Sequence, residues 1–325
     1  MSSSFDSLVS LYGDHQLSMQ STFGNPSEKK KLRQMTPDDV TKLSDVELAG
    51  LMYWIEKQPA YGLLSNEVDK AILLQRYSVR KLSLDHYYSA AKHPEYVARR
   101  EFVMNNYTYV PRDRTGFELP DDDEFQIAAK RSCFSATFSK FWTNVVDRFV
   151  EMKITDADIV FLQTMLLWSD SHNCRVSSEM TRQVMKKQRE WVIASITDYY
   201  SKNRVEGAEE RLGQLILIIG DLEDICELHC EDFVVAKLFD LGEQKKFWYD
   251  TMVYTPVNMK LNILEEKMEL MEEEEDKENI PPSKSIKQAD PPVFNVNTHK
   301  ISDIMAPLPD DVCYKNLNLF LSSQF

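Results

Sequence analysis

The stretch 54–74, WIEKQPAYGLLSNEVDKAILL, constrains this chain more than any other. An apolar helical run reaches Trp54 and Ile55, meets Pro59, which has no amide proton to continue the helical ladder, and restarts after Asn66. Two helices joined by so short a connection fold back on one another, and a hydrophobic groove forms where their exposed faces meet. The run at 211–238, RLGQLILIIGDLEDICELHCEDFVVAKL, is the apolar partner for that pair. Taken as a helix over 209–241 it is about 50 Å long at a rise of about 1.5 Å per residue.

Local signals define the elements around the fold-back. Thr36 and Asp39 have the spacing of a capping pair with Pro37 in the first turn, and Leu48, Leu51, Met52 and Ile55 follow at helical intervals as one buried stripe. The second helix runs from Asn66 through Leu73, Leu74, Tyr77, Leu82 and Leu84 to about Ala91. It is apolar around much of its circumference, which predicts a helix sandwiched between layers. Upstream, 5–12 has a short helical face followed by a polar stretch to Arg33. Downstream, 103–111 (VMNNYTYVP) is strand-like, with an Asn-Asn pair placed to turn it. Helical segments follow at 125–152, at 155–169 with Thr155 and Asp158 as its cap, and at 177–201. The pattern predicts an all-α fold with one short β-hairpin. Its divisions are an N-terminal helix and polar linker at 1–35, the main domain at 36–254, a charged helical extension at 255–280 and a disordered tail at 281–325.

Charge and cysteine content exclude several classes. The net charge is −14, but 265–278 holds nine acids against Lys267 and Lys277, so half of the excess lies in one short segment. A mildly acidic body without a basic face does not bind a phosphate backbone. The basic cluster at 29–33 reads as a solvated loop, with nuclear import as its alternative. No charge-free run of 18 apolar residues and no basic-then-apolar leader is present in these residues, so neither membrane insertion nor secretion is expected. The five cysteines are scattered, as reduced thiols are. Cys226, His229 and Cys230 fall within an apolar helical repeat and read as core residues, so no metal or cofactor is expected.

Over about 5–254 these residues resemble the ligand-binding domain of nuclear hormone receptors, and within that family the expanded nematode receptors related to the hepatocyte-nuclear-factor type. Trp54, Pro59, Tyr61, Leu64, Asp69, Leu73 and Leu74 take the places of the family signature with one residue inserted. The run 211–238 resembles the family's dimerising penultimate helix without a gap. The resemblance implies a three-layer antiparallel helical sandwich in a nuclear, non-enzymatic transcription regulator, with the cytoplasm as a second location. It implies a small lipophilic ligand in a pocket lined by Leu48, Leu51, Met52, Ile55, Tyr77, Leu84, Met165 and Cys226, although an ordinary packed core would show the same residues and is the better reading of each one singly. It further implies coregulator proteins whose Leu-x-x-Leu-Leu helices dock on Lys57, Leu73, Leu74, Arg76 and Asp250. Homo- or heterodimerisation with nuclear receptors would use Leu212, Leu215, Ile219 and Leu222.

Asp250 is placed by the segment FWYDTM at 247–252, which resembles the activation helix, with Thr251 polar where an apolar residue is usual. Glu56 stands at the family's groove cation position, with Lys57 beside it, and Ser89 stands where carboxylate-binding relatives place an arginine, which speaks against a fatty-acid ligand. The family's DNA-binding module uses eight cysteines in two zinc sites. Five dispersed cysteines do not supply them, so the reading is a receptor without that half, either naturally so built or with a sequence that begins late, and no direct nucleic-acid binding by these residues is expected. The segment 317–321, LNLFL, reads as an incidental apolar patch or as a variant of the coregulator helix that could plug the groove. Two rival classes are a ligand-independent dimerisation partner and an isoprenoid-synthase-like enzyme using Asp121, Asp122, Asp123 and Glu124 for magnesium. The enzyme reading lacks a second acidic cluster.

Overall fold

The computed structural model describes residues 4–25, 31–119, 121–170, 174 and 176–238. Asp250, the extension at 255–280 and the segment 317–321 lie outside the described residues. The helices are α1 (Phe5–Ser21), α2 (Pro37–Lys57), α3 (Glu67–Ala91), α4 (Pro94–Val97), α5 (Glu124–Cys133), α6 (Ser135–Phe141), α7 (Asp147–Met152), α8 (Asp156–Leu167), α9 (Glu179–Lys202) and α10 (Ala208–Leu238). A π turn, Trp142–Val146, links α6 to α7. The strands are β1 (Arg33–Gln34), β2 (Phe102–Val103) and β3 (Thr108–Val110).

Caps set the helix starts. Asp39 Oδ2 accepts from the Thr36 amide at 2.8 Å and the Thr36 hydroxyl at 2.7 Å, and both carboxylate oxygens also take the Arg33 guanidinium. These donors, Arg33 first, hold the Asp39 carboxyl well below the usual carboxylate range. Asn66 Oδ1 accepts from the amides of Val68 and Asp69, and Asp69 in turn accepts from the amides of Ser177 and Ser178 ahead of α9. At α8, Asp158 takes the Thr155 amide and hydroxyl, Arg211 from α10 and the Tyr200 hydroxyl from α9. A cap residue thereby ties three helices together.

The layers follow from which helices bury every side. In α8 the residues from Ala157 through Thr164 are all buried, and α3 is buried through most of its length, so these two form the middle of the stack with α9 beside them. Helices α1 and α2 cover one side, and α6, α7 and α10 the other. Trp54, Tyr77, Tyr12, Phe161 and Trp168 fill the centre without solvent exposure. The architecture is that of the nuclear receptor ligand-binding fold expected above.

Two polar clusters bolt the layers. Asp85 accepts from Tyr12, Gln16 and Gln163 at 2.7–3.1 Å and lies 2.7 Å from Lys81 Nζ, a charge contact not aligned as a hydrogen bond. Glu223 of α10 binds Arg76 at 2.5 Å and Arg80 at 2.6 Å, both from α3.

Several expectations change. The first helix extends beyond residue 12 to Ser21, because His15, Gln16 and Met19 are buried rather than solvated. Gly50 permits this packing, since a Cβ there would collide with the Met19 sulfur. The expected helix at 125–152 is broken after Cys133 and again by the π turn. The hairpin forms as expected, pairing Phe102 with Val110, but β1 joins it in parallel, and a three-stranded sheet results.

Candidate functional site

A cavity of about 140 Å³ lies at the end of the sandwich nearest the sheet. Its wall comes from Leu43, Ser44 and Glu47 of α2, Ser83, His86 and Tyr87 of α3, Phe102 and Val110 of the sheet, Phe117, and His229 of α10. Phe138, Phe141 and Trp142 close it where α6 passes into the π turn. An inserted π residue re-aims the side chains on either side of it, and π turns gather at functional sites for this reason. The wall is mostly aromatic: Tyr87 stacks on Phe141 with centroids 5.2 Å apart, and Phe102 meets Phe141 edge-on at the same distance.

Polar groups are few and placed. Glu47 Oε1 lies 2.7 Å from His86 Nε2. Burial pulls the His86 pKa down, but Glu47 more than offsets this and leaves it raised. Arg100 is fixed by Asp147 through bonds of 2.6 and 2.9 Å and lies over the Trp142 ring. Burial pushes His229 down to about 4, so its ring is neutral at pH 7, and its Nδ1 has no hydrogen-bond partner among the described residues. Such a cavity offers aromatic walls, one carboxylate–imidazole pair and a neutral imidazole, which suits binding rather than catalysis.

The predicted pocket residues sit elsewhere. Leu51, Ile55, Tyr77 and Leu84 are packed into the core, Leu48 is buried with them, Met165 is half-buried against it, and Cys226 joins a separate cluster with Val79, Phe134 and Phe233. Met52 is 47% exposed. None of the eight lines the cavity, because Trp54, donating to the Tyr77 hydroxyl at 3.1 Å, plugs the middle of the bundle and displaces the open volume toward the sheet. The readable signal was Glu47, a carboxylate one helical turn after Leu43 on the buried face of α2, where an acid needs a partner.

At the fold-back, Met52 and Tyr53 of α2, Leu63 and Val68 are exposed apolar side chains, and Lys57 lies 4.8 Å from the centroid of the Tyr53 ring. Leu73 is buried and Leu74 half-buried beneath this surface. Arg76 is not part of it: its guanidinium turns inward to Glu223 and the carbonyls of Leu166 and Ser169. On α10, Leu215 and Leu222 are wholly inside this chain's own core, which leaves them no surface for a partner, and Leu212 and Ile219 are half-buried. The exposed large apolar residues there are Ile216, Leu217 and Val235, of which Leu217 is 68% exposed.

Two of the four acids of the enzyme reading serve the local fold. Asp122 pairs with buried Lys130 at 2.5 Å, and Asp123 caps α5 through the Gln126 amide. Burial pushes the Cys226 thiol up to about 12, which disfavours a thiolate ligand. Among the described residues no group of His, Cys, Asp or Glu is placed to hold a metal ion. No described helix is long and apolar enough to cross a membrane.

The model of the ligand-binding domain of nuclear hormone receptor matches residues 25–239. Nuclear hormone receptor family member nhr-71 of Caenorhabditis elegans is 43% identical over 379 aligned positions, covering 97% of this chain and 65% of that protein. Family member nhr-20 of the same organism is 21% identical over 186 positions, covering 56% of this chain and 40% of that protein. The chain thus spans less than two thirds of either relative.

Proposed function

The chain belongs to the nuclear hormone receptor family, and on that premise we propose that it regulates transcription in the nucleus through ligand and protein contacts of its ligand-binding domain. The observation that carries this reading is the aromatic cavity with its Glu47–His86 pair, set between α2, α3, the sheet and α10. A cavity of about 140 Å³ has the size of one that admits benzene, so the occupant is a small lipophilic molecule and not a steroid-sized one. Coregulator helices of the Leu-x-x-Leu-Leu type would dock on the exposed apolar fold-back, with Lys57 at one end. In this reading the 325 residues do not contact DNA themselves, having five cysteines where the family's zinc module needs eight.

Native mass spectrometry of the full chain tests the proposal. A retained organic adduct, lost on denaturation, is the expected result. Bare mass in every preparation would favour the second reading, a ligand-independent partner of other receptors, which the exposed Ile216 and Leu217 on α10 support.

A further inference from the structure

We propose that the ligand site is bipartite, with Met35 as the gate between the inner cavity and an outer one, and that the pair takes a slender organic anion whose apolar body lies inside and whose charge lies against Arg114. This rests on the reading of the inner cavity as the ligand site. The outer cavity, about 170 Å³, is walled by Gln34, Thr36 and Pro37 on one side and by Glu118 and Leu119 on the other. Met35, Val110, Pro111, Arg114 and Gly116 belong to both walls, so the two volumes are separated by a single layer of side chains.

Met35 is the movable part of that layer. Its backbone is held by the bond from its amide to the Tyr109 carbonyl at 2.9 Å, while its side chain occupies the space a Cβ on Gly116 would need, with Met35 Cε 2.9 Å from that position. Gly116 has φ +86°, a conformation that favours glycine, so the gap facing Met35 is built into the loop. A thioether on three rotatable bonds swings out of such a gap at little cost. Each cavity alone is benzene-sized, whereas together they reach roughly 300 Å³, the lower end of the range of small-molecule sites.

Charge fixes the direction of the ligand. Inside, Glu47 Oε1 lies 2.7 Å from His86 Nε2, and that pair leaves no surplus positive charge to hold an anion at that end. At the junction, Glu118 accepts from the amides of Thr115 and Gly116 and keeps its negative charge, whereas the charge of Arg100 is offset by Asp147. Arg114, half-buried and common to both walls, has no side-chain partner among the described residues. Arg112 and Arg114 together outweigh Glu118, so the charge balance beside the gate is positive.

The test uses three probes on the full chain, with affinities from calorimetry and exchange rates from ligand-observed NMR: indole, which fits the inner cavity alone, 3-phenylpropionate, and the uncharged 3-phenylpropanol. Indole binding supports the inner cavity as a ligand site, and its failure to bind sinks that reading. The bipartite site requires 3-phenylpropionate to bind about tenfold tighter than 3-phenylpropanol, the worth of a hydrogen bond to a charged group. Arg114→Gln should erase that preference, bringing the acid and the alcohol to similar affinities. Met35→Ala should speed exchange of the acid several-fold and Met35→Trp should slow or block it, with folding checked by circular dichroism. If indole binds while acid and alcohol bind alike, or if Arg114→Gln leaves the acid unaffected, the bipartite proposal is wrong and the inner site stands without it.

Discussion

At the scale of single residues, buried charge governs what this chain tolerates. Asp85 lies among donors from α1 and α8, and Lys81 of its own helix sits beside it with no solvent exposure. Removing the carboxylate strands a buried ammonium, so Asp85→Ala should cost about 3–5 kcal/mol in urea unfolding. The exposed pair of Arg182 and Glu179 should lose less than about 1 kcal/mol on Arg182→Ala. Comparable losses at the two sites would show that Asp85 is better hydrated than its surroundings imply. Asp232 on α10 behaves oppositely. Burial raises its pKa to about 6, against its hydrogen bond from Thr137 and with help from neighbouring Glu231. The folded chain holds that proton more tightly than the unfolded one. The stability it contributes is therefore complete below the ordinary value of 3.8 and lost as pH rises through about 6. Asp232→Asn should melt higher than the parent at pH 7.5, with the gap closing by pH 4.5. A gap that is constant with pH would remove Asp232 as its cause.

At the scale of elements, the sequence was legible where the determinants are local. Thr36 with Asp39, Asn66, and Thr155 with Asp158 each start a helix within a residue of the expected place, because a cap needs only neighbours three positions away. The extension of α1 to Ser21 was illegible because Gln16 looks like a solvent residue until Asp85, some seventy positions on, supplies a buried partner, and His15 until the Trp54 ring stacks on it. The parallel strand β1 is two residues long and exists only through β3. The cavity was missed for the same kind of reason, since it forms where side chains from several elements fail to meet. On α10 the apolar stripe could be read, but not which part of it faces this chain's own core. Charging Leu222 should therefore unfold the protein, while Leu217→Glu should leave the melting temperature nearly unchanged. If α10 also forms the dimer contact, sedimentation at tens of micromolar should show Leu217→Glu shifted to monomer. Unchanged association of a folded Leu217→Glu chain would move the contact off this helix.

At the scale of the whole molecule, charge and cysteine content bear on what these residues do with nucleic acid. Half of the net charge of −14 sits in the segment 265–278, and the basic cluster at 29–33 is short. Binding to a phosphate backbone gains most of its free energy from counterions released by Lys and Arg, and every cation withheld from a phosphate flattens the salt dependence. Within the described body the arginines are largely committed to acids: Arg33 to Asp39, Arg76 and Arg80 to Glu223, Arg100 to Asp147, Arg148 to Asp221 and Arg211 to Asp158. A cation already paired with a carboxylate must give up that partner to reach a phosphate, so the free basic surface is smaller than the Lys and Arg count implies. These 325 residues should therefore leave a duplex carrying a receptor half-site unshifted in a mobility assay at about 0.1 M salt. Retardation that survives about 0.2 M salt and discriminates the half-site from scrambled DNA would require base contacts from this domain. It would overturn the view that the chain works through ligand and protein contacts alone.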